Sequence, residues 1–403
     1  MKIYGLKLLS KNPTHLKTSV HEPDASRWTW KPHNPELAGK DLALPGYIEE
    51  LVIRVREFKN CPLGKGTVLV FKQGVLTHPF IEELEKSRVS HCVIDVPSLL
   101  VSGRISTSFT DGKISSHLRV GRESLDLGRV RAVIWCHPKL PWEPYDIHFE
   151  GMKSPSARWF AKRWSQWIKE LPGLLHPETL WYPAKPDRGS PLFQLKLAEM
   201  AEARRLGLRV PDTLFSNSKE KVADFIRSHS GKVFLREFSL FASEPAPRFV
   251  EMKNGKPILT HLEVAPCVFQ QYLDKAYDVR AYLIGNRVFP VRIHSQSSEY
   301  TRVDWRDHDL KHVRWEPFTF KKTFEKKVIQ LAERLQLRWS AIDFLELKSG
   351  EFVFLEANRP GAVGQLKHLV GVNVPGEIVQ DIIRFGLRSS RPETMLRPGA
   401  SRQ

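Results

Sequence analysis

The sequence predicts a mixed α/β (α+β) protein of two or three domains, and three observations carry that expectation. At 403 residues the chain is long enough for more than one hydrophobic core. From Gly66 onward, short apolar β-type runs alternate with amphipathic helical runs on short connections, the pattern of a small open sheet covered by helices. Towards the C-terminus, two hairpins turn at Gly285-Asn286 and at Lys348-Ser349-Gly350.

Composition narrows the class. The chain is 41% hydrophobic and 27% charged, ordinary for a globular protein. No run approaches 18 uncharged apolar residues, so no membrane span is expected. Met1 to Ser10 has too short an apolar stretch, and no small-residue cleavage site, for a signal peptide. Cys61, Cys92, Cys136 and Cys267 are scattered, which suits reduced thiols in a cytoplasm and neither a disulfide framework nor a zinc site. The net charge of +17 draws polyanions. Nucleic acid, an acidic peptide and a merely basic enzyme surface all satisfy it.

Residues 1–64 are rich in Lys, His, Pro and Trp, with one helix-like run from Tyr47 to Val55, and read as an N-terminal extension without assignable chemistry. Residues 65–185 read as the first α/β domain. Thr67 to Phe71 is a buried strand. Thr77 is an N-cap candidate for a helix over 78–87, with Pro79 in its first turn. His91 to Asp95 is a strand, 106–118 a hairpin around Asp111-Gly112, and Val130 to Trp135 a closing strand. The helix expected over 157–171 puts Phe160, Trp164, Trp167, Ile168 and Leu171 on one face, with Arg158, Lys162, Arg163 and Lys169 along its border. Such a face could stack bases, but at helical spacing a core stripe is the commoner use.

Residues 186–388 hold the remaining elements. A helix over 192–206 stops at Gly207, and Ser218 caps a helix over 219–229. Lys232 to Arg236 and Val268 to Tyr272 are strands, and 276–284 with 287–294 form a hairpin. A helix over 322–335 leads into a second hairpin. The polar tail, 389–403, is expected to be flexible.

That last hairpin carries the chemistry. Trp339 to Leu347 and Phe352 to Asn358 read as its strands, with Asp343 in the first, and Glu356 and Asn358 two apart in the second. Residues i and i+2 of a strand share a face. Two carboxylates and an amide oxygen suit a hard cation such as Mg²⁺ that keeps places for phosphates and water. The same spacing also describes an edge hairpin whose acids face water, and the pattern alone leaves both readings open.

Beyond spacing, the run Ala341-Ile-Asp-Phe344 with Glu351-Phe-Val-Phe-Leu-Glu-Ala-Asn-Arg-Pro-Gly361 resembles the metal-binding end of the ATP-grasp fold. The resemblance extends from about Thr67 to Phe385. It is similar in particular to the branch of ATP-grasp ligases that holds the ribosomal-protein glutamate ligase and the graspetide (microviridin-type) peptide cyclases. The helix from Gln194 with Pro211-Asp-Thr-Leu-Phe-Ser-Asn217, the stretch Phe269-Gln-Gln-Tyr272 with Lys275 and Asp278-Val-Arg280, and Ile293-His-Ser-Gln296 with Asp304-Trp-Arg306 carry it further.

The resemblance implies an ATP-grasp fold behind a small open-sheet (pre-ATP-grasp) N-terminal domain. It implies ATP and Mg²⁺ as cofactors, with Asp343, Glu356 and Asn358 on the metal. Gln270, Gln271, Tyr272 and Leu273 would form the adenine hinge, with Lys275 and Arg236 on the nucleotide. Arg280 would hold the γ-phosphate through its planar fork, and Arg306 and His294 would face the acceptor carboxylate or the transferred phosphoryl group. The sequence departs from the pattern at two lysines. Arg236 stands where a strand lysine is usual, and a second lysine position falls near Pro191, with Lys185 or Lys196 as substitutes and Lys196 expected on the far side of its helix.

The implied function is an ATP-dependent ligase joining a carboxylate to an amine or alcohol through an acyl phosphate. Its implied substrate is a peptide or protein, expected to be acidic, and homodimers are common in the family. Alternatives are an amino-acid ligase acting on a protein or small-molecule carboxylate, and a non-catalytic ATP-grasp-like protein that binds nucleic acid or a partner. A dinucleotide enzyme is excluded by the lack of a G-x-G-x-x-G after a strand.

Overall fold

The computed structural model describes residues 66–72, 77–95, 103–110, 113–120, 123–135, 155–185, 196–236, 248–250, 252–253, 256–257, 262, 265–305, 313–359 and 370–387. Outside them lie the N-terminal 64 residues, Arg306, the tail, and the first turn of the helix expected from Leu192. The chain divides into two compact units, one of residues 1–133 with 139–179, the other of 134–138 with 180–403.

In the first unit β1 (Thr67–Lys72) pairs in parallel with β2 (His91–Asp95) through α1 (His78–Lys86), as a strand–helix–strand pattern requires. Phe80 and Leu84 fill the space beneath the helix. Thr77 holds the N-cap position without a side-chain bond to the helix, so the expected cap is one of position only. β3 (Gly103–Thr110), β4 (Lys113–Val120) and β5 (Glu123–Asp126) form an antiparallel meander, its third strand unforeseen. β6 (Val130–Trp135) lies beside β1 and is almost wholly buried. In α2 (Pro155–Leu174) Ile168 and Leu171 are buried, and Trp164 packs edge-to-face on Trp167 at 5.5 Å, as a core stripe does.

The second unit opens with β7 (Leu180–Tyr182) and α3 (Lys196–Arg205), which ends at Gly207 with φ of 69°. β8 (Thr213–Ser216), α4 (Lys219–Ser228), β9 (Val233–Arg236) and β10 (Arg248–Phe249) follow; two short strands, β11 (Met252–Lys253) and β12 (Lys256–Pro257), pair with each other, and β13 (Cys267–Gln271) comes next. Ser218 caps α4 by accepting the Lys221 N–H. The sheet order is β10-β9-β13-β8, with Val222 and Ile226 of α4 buried against Val233 and Phe269.

A second sheet of this unit contains β14 (Lys275–Ile284), β15 (Arg287–Ile293), β16 (Trp315–Pro317), β17 (Trp339–Leu347) and β18 (Phe352–Asn358), all antiparallel in the order β16-β15-β14-β17-β18. α5 (Lys322–Arg334) and α3 cover one face, where Val279, Ala281, Ile342, Phe344 and Phe354 meet Met200, Val328 and Leu331. Strand alternation then sends Asp278, Arg280, Tyr282 and Asp343 to the other face.

β18 needs one more device. Phe352 and Phe354 face the core, so strict alternation would turn Glu356 and Asn358 the same way. The pairing instead steps from Asp343↔Glu356 to Phe344↔Phe354, leaving Leu355 as the extra residue of a β-bulge. That one residue switches faces: Phe354 and Ala357 stay in the core, while Glu356 and Asn358 turn to the face that carries Asp343.

The β14–β15 turn leans on the helix α6 (Val374–Asp381). Gly285 has φ of 60°, and a Cβ there would collide with the Asp381 carboxylate. That carboxylate is bonded by Tyr182 Oη and by Arg338 Nε at 2.8 Å. Gly285→Ala is therefore expected to cost about 1–3 kcal/mol, read as a lower urea midpoint. An unchanged midpoint would contradict this account of the turn.

Candidate active site

The two sheets of the second unit enclose a cavity of about 200 Å³, lined on one side by Arg236, Gln270 and Leu273 and on the other by Arg280, Asp343 and Glu356. Asn358 closes the carboxylate end. Its Nδ2 donates to Asp343 Oδ2 at 2.7 Å and Glu356 Oε1 at 3.3 Å, so the residues of the hairpin motif converge. Both carboxylates are buried.

Buried carboxylates require positive charge. Lys196 Nζ stands 3.2 Å and Arg236 Nη2 3.8 Å from Glu356 Oε2, and Arg280 Nη1 stands 3.7 Å from Asp343 Oδ1. At this end of the cavity two carboxylates thus face three cations, while Asp278 and Asp304 line it further along.

Lys196 is the residue that sequence reasoning misplaced. It is only 6% exposed, on the same face of α3 as Glu199, Met200 and Ala203, the face turned to β18. The i, i+3, i+4, i+7 spacing of those four residues held the signal. Leu195 and Leu197 beside it obscured that signal, and Leu197 is exposed. Lys185, the other substitute considered, is exposed at the end of its segment.

Each cation is oriented. Arg236 Nη1 donates to Gln270 Oε1 at 2.9 Å, and Gln270 Nε2 donates to Thr213 Oγ1 at 3.2 Å. Gln270 therefore steers Arg236 from the strand alongside. The Arg280 guanidinium lies between Trp305 at 5.2 Å and Tyr282 at 5.8 Å from the ring centroids. Burial pushes the Tyr282 phenol up to about 12, against the opposing pull of Arg280, so that ring stays neutral.

Lys275 also lines the cavity, but its ammonium is engaged by Asp278 Oδ2 at 2.6 Å and by the Val303 carbonyl at 3.1 Å. Burial raises the Asp278 pKa while Lys275 opposes it. The pair ties the segment carrying Trp305 to β14. His294 lies elsewhere: its Nε2 meets Glu316 Oε2 at 2.9 Å, and its ring packs on Tyr277. It is not among the residues that line the cavity with Arg280, and it directly follows the end of β15. Arg306 lies outside the described residues.

The stretch expected as the adenine hinge is partly spent on the protein itself. The Gln271 N–H donates to the Asp212 carbonyl and the Tyr272 N–H to the Lys232 carbonyl, both at 2.9 Å. Among the described residues, the Leu273 backbone has no such partner. Phe234, Phe249 and Tyr272 pack together beside it, Phe234 lying 4.4 Å from Phe249 and 5.3 Å from Tyr272.

A histidine behind the hinge supplies a pH dependence. His229 Nδ1 reaches the Phe225 carbonyl at 2.8 Å and Nε2 reaches Asp212 Oδ2 at 3.0 Å, so the ring donates twice only as imidazolium. Burial alone would lower its pKa, but the bonds to Phe225 and Asp212 outweigh it and raise the value. A raised folded pKa gives stability that is full below about pH 6.5 and is lost as pH rises through the folded value. The difference in melting temperature between wild type and His229→Gln should therefore shrink from pH 6 to pH 8. A constant difference would contradict the paired imidazolium.

Fit to a magnesium ion rests on donor chemistry. Among the described residues no three His, Cys, Asp or Glu side chains form a metal-ligand group. The set is two carboxylates with the Asn358 amide, all hard oxygen donors once the amide turns its Oδ1 inward. The surrounding cations supply the phosphate side of such a site.

No family model matches the chain, and no curated protein matches it in sequence. Solved structures do match. A RiPP-associated ATP-grasp ligase of Chryseobacterium gregarium, in complex with ADP and a leader and core peptide, aligns with TM-score 0.65 and 20% identity over 79% of this chain and 97% of its own. The macrocyclase MdnC of Microcystis aeruginosa, bound with precursor peptide MdnA, aligns with TM-score 0.60 and 22% identity over 79% and 99%. The ATP-grasp ligase PsnB, complexed with minimal precursor, Mg and ADP, aligns with TM-score 0.62 and 20% identity over 81% and 100%. No helix among the described residues is long and apolar enough to cross a membrane. With its two sheets facing each other across a cavity, and with these structural matches along most of its length, the chain has the ATP-grasp fold.

Proposed function

We propose that the chain is an ATP-dependent ligase that activates a carboxylate as an acyl phosphate and joins it to an amine or hydroxyl of a ribosomally made peptide. The observation that carries this reading is the single cluster of Asp343, Glu356 and Asn358 faced by Lys196, Arg236 and Arg280. Support comes also from the solved relatives with ADP, magnesium and precursor peptides.

In this reading Leu273 offers its backbone to the adenine edge, and Phe234 closes the base pocket. Lys196, Arg236 and Arg280 hold the phosphates. Asp343, Glu356 and Asn358 would hold Mg²⁺, which when bound neutralises charge on the transferring phosphoryl group. A substrate carboxylate oxygen attacks the γ-phosphorus, the bond to the bridging oxygen breaks, and ADP leaves. The amine or hydroxyl then attacks the acyl carbon, phosphate departs with the acyl C–O electrons, and the nucleophile's proton is lost to water. No side-chain nucleophile is needed. Arg280 orients the phosphoryl group throughout, its guanidinium fixed by Trp305 and Tyr282. The first unit selects the peptide, and the +17 charge favours an acidic one in the cytoplasm where ATP is held.

The test incubates the chain with ATP, magnesium and an Asp/Glu-rich precursor peptide, followed by mass spectrometry. Loss of one water per crosslink, with one ADP formed for each, is the expected outcome. ADP formation with the peptide mass unchanged would contradict it.

A further inference from the structure

The face of α3 that presents Lys196 presents a second buried charge, one turn on, that none of the chemistry above uses. Glu199 is only 1% exposed. Its Oε2 accepts the backbone N–H of Ala357 at 3.1 Å, and its Oε1 lies 3.5 Å from Arg359 Nη2. Arg359 is itself largely buried, with its Nε unbonded among the described residues.

The location is what gives the contact meaning. β18 is the edge strand of its sheet, so alternate N–H groups face away from β17. Two of them are captured from the helical side: Phe354 N–H by the Arg209 carbonyl at 2.8 Å, and Ala357 N–H by Glu199. Ala357 is the residue between Glu356 and Asn358. The bulge at Leu355 has already removed one ladder position two residues before it. A bulge breaks the ladder locally and bends its strand, and the geometry of two side chains aimed at one ion depends on the peptide between them.

We infer that Glu199 and Arg359 are positioning residues that lock the Glu356–Asn358 backbone from behind, and so set the magnesium requirement of the site. The inference rests on the function proposed above for the metal, while the lock itself is made of protein contacts alone. Lys196 and Glu199, three apart on one helix, then divide the task. Lys196 balances the Glu356 side chain, and Glu199 holds the main chain beside it. Arg359, 3.5 Å from Glu199 Oε1, aims that carboxylate by closing the cluster at the end of β18.

Two readouts on the full chain test this. The first is hydrogen–deuterium exchange at the Ala357 amide without ligand. Glu199→Ala should speed it about tenfold or more, with amides of α5 unchanged. The second is the magnesium concentration giving half its effect on ADP affinity. It should rise about 10–100-fold in Glu199→Ala, while ADP affinity without magnesium stays at the wild-type value. Glu199→Gln keeps an acceptor oxygen for Ala357 but not the charge facing Arg359. It should retain the amide protection and still raise the magnesium requirement several-fold, and it decides the matter if the alanine variant does not fold.

Wild-type exchange at Ala357 in Glu199→Ala would overturn the lock, and so would an equal loss of ADP affinity with and without magnesium, the mark of a merely structural residue. A wild-type chain whose ADP affinity ignores magnesium would instead overturn the proposed function, and the exchange readout would still score the lock.

Discussion

Glu356→Gln is expected to remove the effect of magnesium on nucleotide binding while leaving nucleotide binding without metal intact or stronger. The direction follows from the partners of one oxygen. Glu356 Oε2 neutralises both Lys196 and Arg236 across 3.2 Å and 3.8 Å. An amide there frees two buried cations, which then seek the phosphates directly, but it takes away one of two carboxylates that suit a divalent ion. In a thermal-shift series with ADP, wild type should gain stability on adding magnesium, by mass action on the folded state. The variant should show the ADP shift without the magnesium increment. The variant's folding in the absence of ligand should be weakened, since removing one partner of a buried pair leaves the others uncompensated.

The second large effect is on the chemical step. Arg280→Ala is expected to lower ATP turnover by about 10²–10³-fold, the typical loss when a preorganised group facing developing charge is deleted. Arg280→Lys should recover little of it, because an ammonium lacks the planar fork and does not stack between Trp305 and Tyr282 in the same way. A lysine variant with wild-type turnover would show that only the charge matters and that the aromatic sandwich has no positioning role. Trp305→Phe, which preserves a ring, should be the mildest of the three.

Much of the architecture is legible in the sequence. β2, β6, β17 and β18 lie where short apolar β-type runs placed them, and Ser218 and Gly207 begin and end their helices as cap chemistry dictates. The hairpin at Gly285-Asn286 was legible because only a few residues accept the positive φ there. Short elements were not. β5 and β7 have four and three residues, too few for a period to emerge.

In the site, Asp343, Glu356 and Asn358 were singled out by resemblance where spacing alone left two readings open, yet the reason Glu356 and Asn358 turn away from the face of Phe352 and Phe354 was not legible. A β-bulge has no mark in the pattern Phe-x-Phe-x-Glu-x-Asn, which reads as one uninterrupted alternation. Lys196 was hidden for the opposite reason: a lysine within a helix is ordinarily solvated, and only a buried anion such as Glu356 draws it inward. Where His294 points could not be read from the motif that its neighbours match. The side chain answers instead to Glu316 on β16, a residue distant in sequence and brought close only by sheet pairing. Tertiary partners of that kind decide a histidine's surroundings, and a linear reading does not contain them.

The measurement that tests the central claim most directly is a calorimetric titration of the wild-type chain with ADP, with and without magnesium. The cluster of Asp343, Glu356, Asn358, Lys196, Arg236 and Arg280 predicts one binding site per chain, occupied in both conditions and tightened by the metal. No detectable heat in either condition, or an affinity indifferent to magnesium, would contradict it.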